Sequence, residues 1–146
     1  MQPSENGYET LHIDDVPLVA FDAPEDPDWR PLRHHLGVGA FGVNAWVAKA
    51  AGEHVIERHD EKPGDGEAAG HEELYVVLRG SADFTVDGDA FEVHAGSVVF
   101  VRDPALTREA VAREPGTTIL VVGAPRGKAF TPSEWEERWL AKKGLA

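Results

Sequence analysis

Short runs of Val, Ile, Phe and Trp, separated by Gly, Asp and Pro, extend from about Gly39 to Gly123 and constrain the fold of this chain more than any other feature. Runs of this length, bounded by turn-forming residues, are typical of antiparallel strands in a sandwich or barrel. The candidate strands cover residues 41–50, 55–60, 73–78, 81–86, 90–94, 97–101, 106–112 and 117–123. Eight strands fit a jelly roll, so the sequence predicts an all-β barrel.

Two segments between these strands have the composition of tight turns. Asp87 and Gly88 suit a hairpin turn, because Gly accepts a positive φ and Asp tolerates one. The segment from Glu114 through Pro115 to Gly116 has the same character between the last two strands. Both turns predict that the strands on either side of them pair with each other.

The segment before the barrel predicts an arm that docks on it. Residues 1–38 are rich in Pro and acidic residues, and each X-Pro bond favours extended structure in the preceding residue. Residues 11–13 and 18–21 are apolar enough to add short strands. Trp29 needs burial on this subunit or on a neighbour.

The segment after the barrel predicts a linker and a short helix. Thr131 is a candidate N-cap, with Pro132 in the first turn and Glu134 completing a capping box. An apolar stripe on one side of the helix predicts docking, through Trp135, Trp139 and Leu140. We therefore expect an N-terminal arm (1–38), a barrel (39–124) and a C-terminal linker with a helix (125–146).

Charge and composition exclude several classes of function. The 146 residues include 14 basic and 26 acidic ones, a formal net charge of −12, which opposes binding to nucleic acids and to anionic membranes. No run approaches the roughly 18 apolar residues of a membrane span, and the first twenty residues lack a secretory signal pattern. We therefore expect a cytoplasmic protein. With no Cys, any metal site must use His and carboxylate ligands.

Two histidines and two glutamates are the candidate metal ligands. Because side chains alternate along a strand, His59 and Glu61 share one face, and His71, Glu73 and Tyr75 share one face of the next strand. If both faces look into the barrel, these groups converge. Imidazole and carboxylate ligands suit one divalent ion such as Fe, Mn, Zn, Ni or Cu. A polar, Gly-rich insertion at residues 61–70 lies between the two strands and predicts either a surface loop or a lid over the barrel mouth.

These residues resemble the first sequence motif of the cupin superfamily, in its small single-domain form. That motif resembles G-x5-H-x-H-x3-4-E-x6-G. Six residues separate Glu73 from Gly80 here, as in the motif, while His59 stands at the first histidine, one residue later than the pattern expects after Gly52. Glu61 replaces the second histidine. The resemblance covers about residues 39–124 and implies a double-stranded β-helix.

The second cupin motif is degenerate in this sequence. His94 stands where the pattern has Pro, Arg102 lies in place of a Pro-rich turn, and Thr107 occupies the position of the last metal-binding histidine. We expect Trp46, Tyr75, Arg102 and Thr107 to line a ligand pocket at the barrel mouth. Arg102 is a candidate partner for an anionic ligand, or for nearby Asp103.

The resemblance leaves three functional hypotheses open. The first is a protein that binds a small molecule in the barrel without a specific activity that the sequence reveals. The second is a mononuclear metal enzyme, of dioxygenase or isomerase/epimerase type, using His59, Glu73 and either Glu61 or His71. The third is a metabolite sensor or regulatory domain. Both faces of residues 74–78 are apolar, which also favours a homodimer, as the resemblance implies.

Overall fold

A computed structural model describes residues 6–63 and 70–145 of the chain. Its strands are β1 (Asp28–Arg30), β2 (Gly42–Val47), β3 (His54–His59), β4 (His71–Arg79), β5 (Ser81–Val86), β6 (Asp89–His94), β7 (Val98–Val101), β8 (Arg108–Ala112) and β9 (Thr118–Pro125). Its α-helices are α1 (Leu32–Leu36) and α2 (Glu134–Lys142). The expected loop or lid falls largely on residues 64–69, which lie outside the described residues.

The strands form two antiparallel sheets that enclose the core of a jelly roll. One sheet has the order β1-β2-β9-β4-β7 and the other the order β3-β8-β5-β6. All eight expected strands are present, and β1 is an addition that pairs with β2 at the sheet edge. The all-β double-stranded β-helix is therefore confirmed. In neither described segment is a helix long and apolar enough to cross a membrane.

The inner faces of both sheets supply an apolar core. Tyr75 on β4 and Phe84 on β5 are buried and meet edge to face, with ring centroids 5.1 Å apart. Because side chains alternate along β4, the residues next to Tyr75 point to the opposite side of the sheet. Over residues 74–78 both faces of this strand are apolar, as the sequence indicated.

One of the two turn predictions is confirmed and the other is wrong. Asp87 and Gly88 have φ values of 48° and 90° and join β5 to β6, with Val86 opposite Asp89. The segment 114–116 does not join a hairpin. It carries the chain from β8 in the four-stranded sheet to β9 in the five-stranded sheet, because β8 pairs with β3 and β5 while β9 pairs with β2 and β4.

The arm packs against the outer face of the five-stranded sheet. Val16 is completely buried there with Val43 and Ala45 of β2. Trp29, also completely buried, lies on the opposite, inner face beside Trp46. The two short strands expected in the arm are not formed. Residues 13–15 make a 3₁₀ turn, because the His12 side chain accepts a hydrogen bond from Asp14 N–H and the Asp15 carboxylate accepts one from His12 N–H. Val19 makes an isolated bridge to Trp29.

The C-terminal helix begins later than the capping prediction placed it. Ser133, with φ −67° and ψ 146°, is the N-cap of α2 and makes no side-chain capping hydrogen bond. The Thr131 cap is therefore wrong. Docking of the helix through its apolar stripe is confirmed, since Leu140 is 1% exposed and packs with Val19 and Trp29.

Replacing Gly80 by Ala should destabilise the fold strongly. Gly80 has φ +75°, and a Cβ atom built there would lie 2.3 Å from Thr117 Oγ1 and 2.8 Å from Thr117 Cα. Backbone strain of order 1–3 kcal/mol then adds to this steric clash. Gly88→Ala is the matched control, because its φ is +90° but nothing lies within 4 Å of the added Cβ. Urea denaturation should show a larger loss of unfolding free energy for Gly80→Ala, and equal losses would contradict this account.

Candidate functional site

A cavity of about 450 Å³ opens at one end of the barrel. Strands β2, β3, β4 and β9 form its base, and the arm and α2 extend its wall beyond the barrel. Six of the residues proposed from sequence line it: Trp46, His59, Glu61, His71, Glu73 and Tyr75. This places the candidate metal ligands and two candidate ligand-binding residues around one space.

His59, the last residue of β3, has both ring nitrogens engaged. Its Nδ1 lies 2.7 Å from the main-chain oxygen of Glu57, so this nitrogen carries a proton and donates it to that carbonyl. Its Nε2 lies 3.2 Å from Glu61 Oε2 and 3.6 Å from Glu73 Oε1. The hydrogen bond to Glu57 thereby orients Nε2 toward the two carboxylates.

Glu61 follows β3 and is held by its backbone. Its N–H donates a 2.8 Å hydrogen bond to the main-chain oxygen of Pro104, which directs the side chain toward the cavity. The second carboxylate oxygen lies 3.7 Å from Nδ1 of His71. His71 is 5% exposed, and within the described segments its Nε2 has no hydrogen-bond partner.

Glu73 is the centre of a hydrogen-bonded cluster on β4. The Tyr75 hydroxyl donates a 2.6 Å hydrogen bond to Glu73 Oε1, and Nη1 of Arg108 lies 3.4 Å from the same oxygen. Burial alone raises the pKa of this carboxyl group, but the contacts with His59, Tyr75 and Arg108 outweigh it and lower the pKa. Glu73 is therefore ionised at neutral pH.

Arg108 is a member of this cluster that sequence reasoning missed. It is 0% exposed, and its Nε and Nη2 find no partner among residues 6–63 and 70–145. Alignment with the second cupin motif predicts that Thr107 lines the pocket. In the structure the side chain that points into the barrel is that of the next residue, Arg108. The alternation of side chains along β8 indicates this position, because Arg108 shares a strand face with Ala110 and Ala112, which are small and buried.

The ionisable groups of the cluster influence one another strongly. Burial lowers the pKa of His59, but hydrogen bonds to Glu61 and Glu73 outweigh this effect and raise it to about 10. Burial, together with the negative charge of Glu73, raises the pKa of Tyr75 well above its usual value. At neutral pH the cluster therefore holds His59 and Arg108 as cations beside an ionised Glu73.

Four partly exposed rings form a second part of the cavity lining, which we call the aromatic wall: Phe21, Trp46, Trp135 and Trp139. They come from the arm, β2 and α2. Trp46 and Trp135 have ring centroids 5.7 Å apart, and the edge of Phe21 meets Trp139 at 4.7 Å. The fully buried Trp29 packs behind them. Sequence reasoning assigned Trp135 and Trp139 to docking alone and did not anticipate their position at the cavity.

A buried polar network holds α2 in place beside the aromatic wall. The Arg33 Nε atom of α1 donates a 2.7 Å hydrogen bond to Glu136, which is 3% exposed. Burial raises the pKa of Glu136, and the positive charge of Arg33 partly offsets this rise. Nearby, Trp29 Nε1 donates a 2.9 Å hydrogen bond to Asn44 of β2. The wall of the cavity is thus fixed to the barrel by directional contacts as well as by apolar packing.

Two residues proposed from sequence lie elsewhere. Neither Arg102 nor Thr107 belongs to the cavity lining in the described part of the chain. The Arg102 guanidinium packs over the Phe100 ring instead, at 5.2 Å from the centroid. The Thr107 main-chain oxygen accepts a hydrogen bond from Asp87 N–H at the far hairpin.

Three of the cavity residues have a geometry that suits a metal ion. One ligand atom from each of His59, Glu61 and Glu73 can be chosen so that all lie within 4.8 Å of one another. A nitrogen and two carboxylate oxygens fit borderline divalent ions. Arg108 opposes such binding, because its guanidinium already neutralises part of the charge on Glu73.

Comparison with solved structures identifies the fold. A sugar phosphate isomerase of the cupin superfamily, from Silicibacter pomeroyi, aligns with a TM-score of 0.62 at 17% identity. The alignment covers 79% of this chain and 74% of that one. KdgF from Halomonas sp. aligns with a TM-score of 0.60 at 15% identity, covering 77% and 91%. A predicted oxalate decarboxylase from Thermotoga maritima gives 0.60 at 16% identity, covering 79% and 97%. Neither a protein-family model nor a curated protein matches the sequence.

The chain therefore has the cupin fold, as the resemblance in its first motif indicated. The similar structures carry names for different activities, so the shared fold defines a class of barrel and no single reaction. The function must be argued from the cavity of this chain.

The contribution of His59 to stability should disappear as the pH rises. Its folded-state pKa of about 10 lies above the roughly 6.5 of an unfolded histidine. The folded state therefore binds this proton more tightly, and the resulting stabilisation is complete below about pH 6.5 and is lost toward pH 10. Urea denaturation of chelator-treated protein should show the difference between wild type and His59→Gln shrinking over that range. An NMR titration midpoint for His59 at or below 6.5 would contradict the prediction.

Proposed function

We propose that this protein binds a small organic molecule in the cavity at the barrel mouth. The observation that carries the proposal is a 450 Å³ space that joins an aromatic wall to a cluster of ionised groups. Ligand pockets typically measure about 300–1,000 Å³ and combine apolar walls with a few convergent polar groups. The cupin fold is compatible with this role and does not by itself specify the ligand.

Two parts of the cavity, its base and its wall, are held in place before a ligand binds. The base is formed by barrel strands whose side chains are fixed by mutual hydrogen bonds, as in the contact of Tyr75 with Glu73. The wall is added by the arm and α2, and the ion pair between Arg33 and Glu136 keeps it in place. A preorganised pocket of this kind loses little conformational freedom on binding, which favours affinity.

A metabolite that binds the cavity should raise the melting temperature of the protein with a chelator present. A ligand at 100 times its Kd stabilises the native state by about 2.7 kcal/mol. Tryptophan fluorescence should change in the same titration, because Trp46, Trp135 and Trp139 line the cavity. Val121→Phe, which places a larger side chain in the lining, should abolish both responses.

Leu18→Phe is the control for that substitution, because Leu18 is exposed in the arm and is not part of the lining. It should retain both responses. A metabolite library that produces no response in the wild type would refute binding in the cavity.

A second candidate function is metal-dependent catalysis, favoured by the orientation of His59. Its Nδ1–H is engaged by a main-chain carbonyl, so Nε2, after losing its proton, is the atom that would bind a metal. His59, Glu61 and Glu73 would hold the ion, and His71 is the additional imidazole beside Glu61. A divalent ion there would supply Lewis-acid or redox chemistry. Tyr75 would hold a proton next to Glu73, since its hydroxyl donates to that carboxylate.

Elemental analysis tests this second candidate. After dialysis against Fe, Mn, Zn, Ni or Cu salts, the wild type should retain about one ion per chain if the cluster binds metal. His59→Ala should lose it, because the sole nitrogen of the three-residue ligand set is removed. His54→Ala, an exposed histidine on the same strand, is the matched control and should keep the ion. Equal ion contents in the wild type and His59→Ala would refute a metal site here.

We also propose that the protein forms a homodimer through β7. This strand is at the edge of its sheet, where unpaired backbone groups favour pairing with another chain. Val98 is 58% exposed and Phe100 is 45% exposed, beside Val76 and Leu74 of β4. The arm covers the other part of this sheet face, which leaves an apolar strip. A second copy offers the same strip across a two-fold axis.

Light scattering after size exclusion should give twice the mass of one chain. Val98→Lys should convert the protein to a monomer, because a lysine ammonium group would be buried at the paired edge. Phe91→Lys is the control, since Phe91 is also exposed but lies on β6 in the other sheet. A monomeric wild type would contradict the proposed interface.

A further inference from the structure

The aromatic wall is accessible to a ligand, and it already binds positive charge. Its four rings keep exposed surface, whereas Trp29 behind them has none. Nζ of Lys142 lies 4.4 Å from the ring centroid of Trp139, and Nζ of Lys143 lies 5.6 Å from it. An ammonium group at such a distance is attracted by the negative face of the indole. Trp139 of the aromatic wall therefore already makes cation–π contacts.

The charges around the cavity also favour a cation. Among the described residues, the lining includes six with carboxyl side chains against three cationic ones, Arg58, Arg138 and the protonated His59. The carboxylates of Glu61 and Glu73 face His59, and that of Glu136 is paired with Arg33. Three acidic residues of the lining are left: Asp26, Glu57 and Asp60.

Asp26 and Glu57 form a pair of carboxyl groups at the edge of the cavity. The two carboxyl groups lie within hydrogen-bonding distance of each other, and both line the cavity. The neighbouring Lys49 donates to the main-chain oxygen of Asp26 and forms its ion pair with Asp28. A cation placed beside Asp26 and Glu57 would be attracted by both side chains.

A buried polar atom in the same lining points independently to a ligand. His71 is 5% exposed and lines the cavity, yet its Nε2 lacks a hydrogen-bond partner in the part of the chain that the structure describes. A buried polar group without a hydrogen-bond partner is unfavourable, because it has lost its hydrogen bonds to water. A polar atom of a bound molecule would supply the missing hydrogen bond.

We infer that the cavity recognises an organic cation, an amine or a quaternary ammonium compound small enough for 450 Å³. The cationic centre lies against the aromatic wall and beside Asp26 and Glu57, and a polar group on the rest of the molecule reaches His71. The inference rests on the proposed function, and it adds the chemical class of the ligand. A phosphate or carboxylate ligand would instead meet an excess of negative charge.

Matched probes of equal shape test the inference. Choline and 3,3-dimethylbutan-1-ol differ in charge at one atom, and phenethylamine and 2-phenylethanol form a second such pair. In calorimetric titrations at low ionic strength, each cation should bind at least tenfold more tightly than its neutral partner. Salt screens charge interactions, so the preference should narrow at high ionic strength.

Two sets of variants locate the cation. Glu57→Gln should lower the ratio of cation to neutral affinity at least threefold, whereas Glu25→Gln, which removes the same charge from the exposed arm outside the lining, should leave it unchanged. Trp135→Phe should lower the ratio of cation to neutral affinity slightly, because benzene attracts cations less well than indole does. Trp135→Leu should lower this ratio further, because leucine has no aromatic ring. Circular dichroism confirms that each variant is folded.

The outcomes separate this inference from the proposed function. If neutral or anionic compounds of the metabolite library bind and displace each other from the cavity while the cations show no preference, the ligand class is wrong and cavity binding stands. If neither the probes nor the library gives a response, both are refuted. Cation binding that is unchanged in Glu57→Gln and Trp135→Leu would overturn the assigned position and with it the inference.

Discussion

The ionised carboxylate of Glu73 inside the barrel is the interaction on which the site depends. Removing a carboxylate from water is costly unless charged and hydrogen-bonding groups surround it. Three side chains from three different strands meet this requirement at one oxygen atom: Tyr75 from β4, Arg108 from β8 and His59 from β3. The two sheets are therefore joined by charge as well as by apolar packing. The raised pKa of His59 and the lowered pKa of Glu73 follow from the same contacts.

The barrel is predictable from the sequence because the patterns that indicate its strands and turns lie within short segments of the chain. Apolar runs between turn residues located eight strands, and the resemblance to the first cupin motif, carried in part by Glu73 and Gly80, implied the double-stranded β-helix. Gly80 needs a positive φ and the absence of a side chain against Thr117, so its place in the motif has a steric cause. The turn at 114–116 was misassigned because composition predicts that a chain reverses, and does not reveal whether it stays in one sheet.

The site was only partly predictable, because its remaining members depend on register and on long-range packing. A shift of one residue exchanges inward and outward positions, which is why Thr107 was expected where Arg108 lies. The aromatic wall joins residues more than a hundred positions apart, Phe21 in the arm and Trp135 and Trp139 in α2. Periodicity within each segment indicates an apolar face, but it does not indicate which residues of that face remain open to a cavity.

Arg108 gives the barrel a property that a metal centre lacks. A bound ion can be lost to a chelator, exchanged for another element or change its oxidation state, whereas a guanidinium group is part of the polypeptide and keeps its charge throughout the physiological pH range. The positive charge beside Glu73 is thus present in every folded molecule, regardless of the supply of metal. The folded barrel consequently does not require an inorganic cofactor to keep its internal carboxylate ionised and in position.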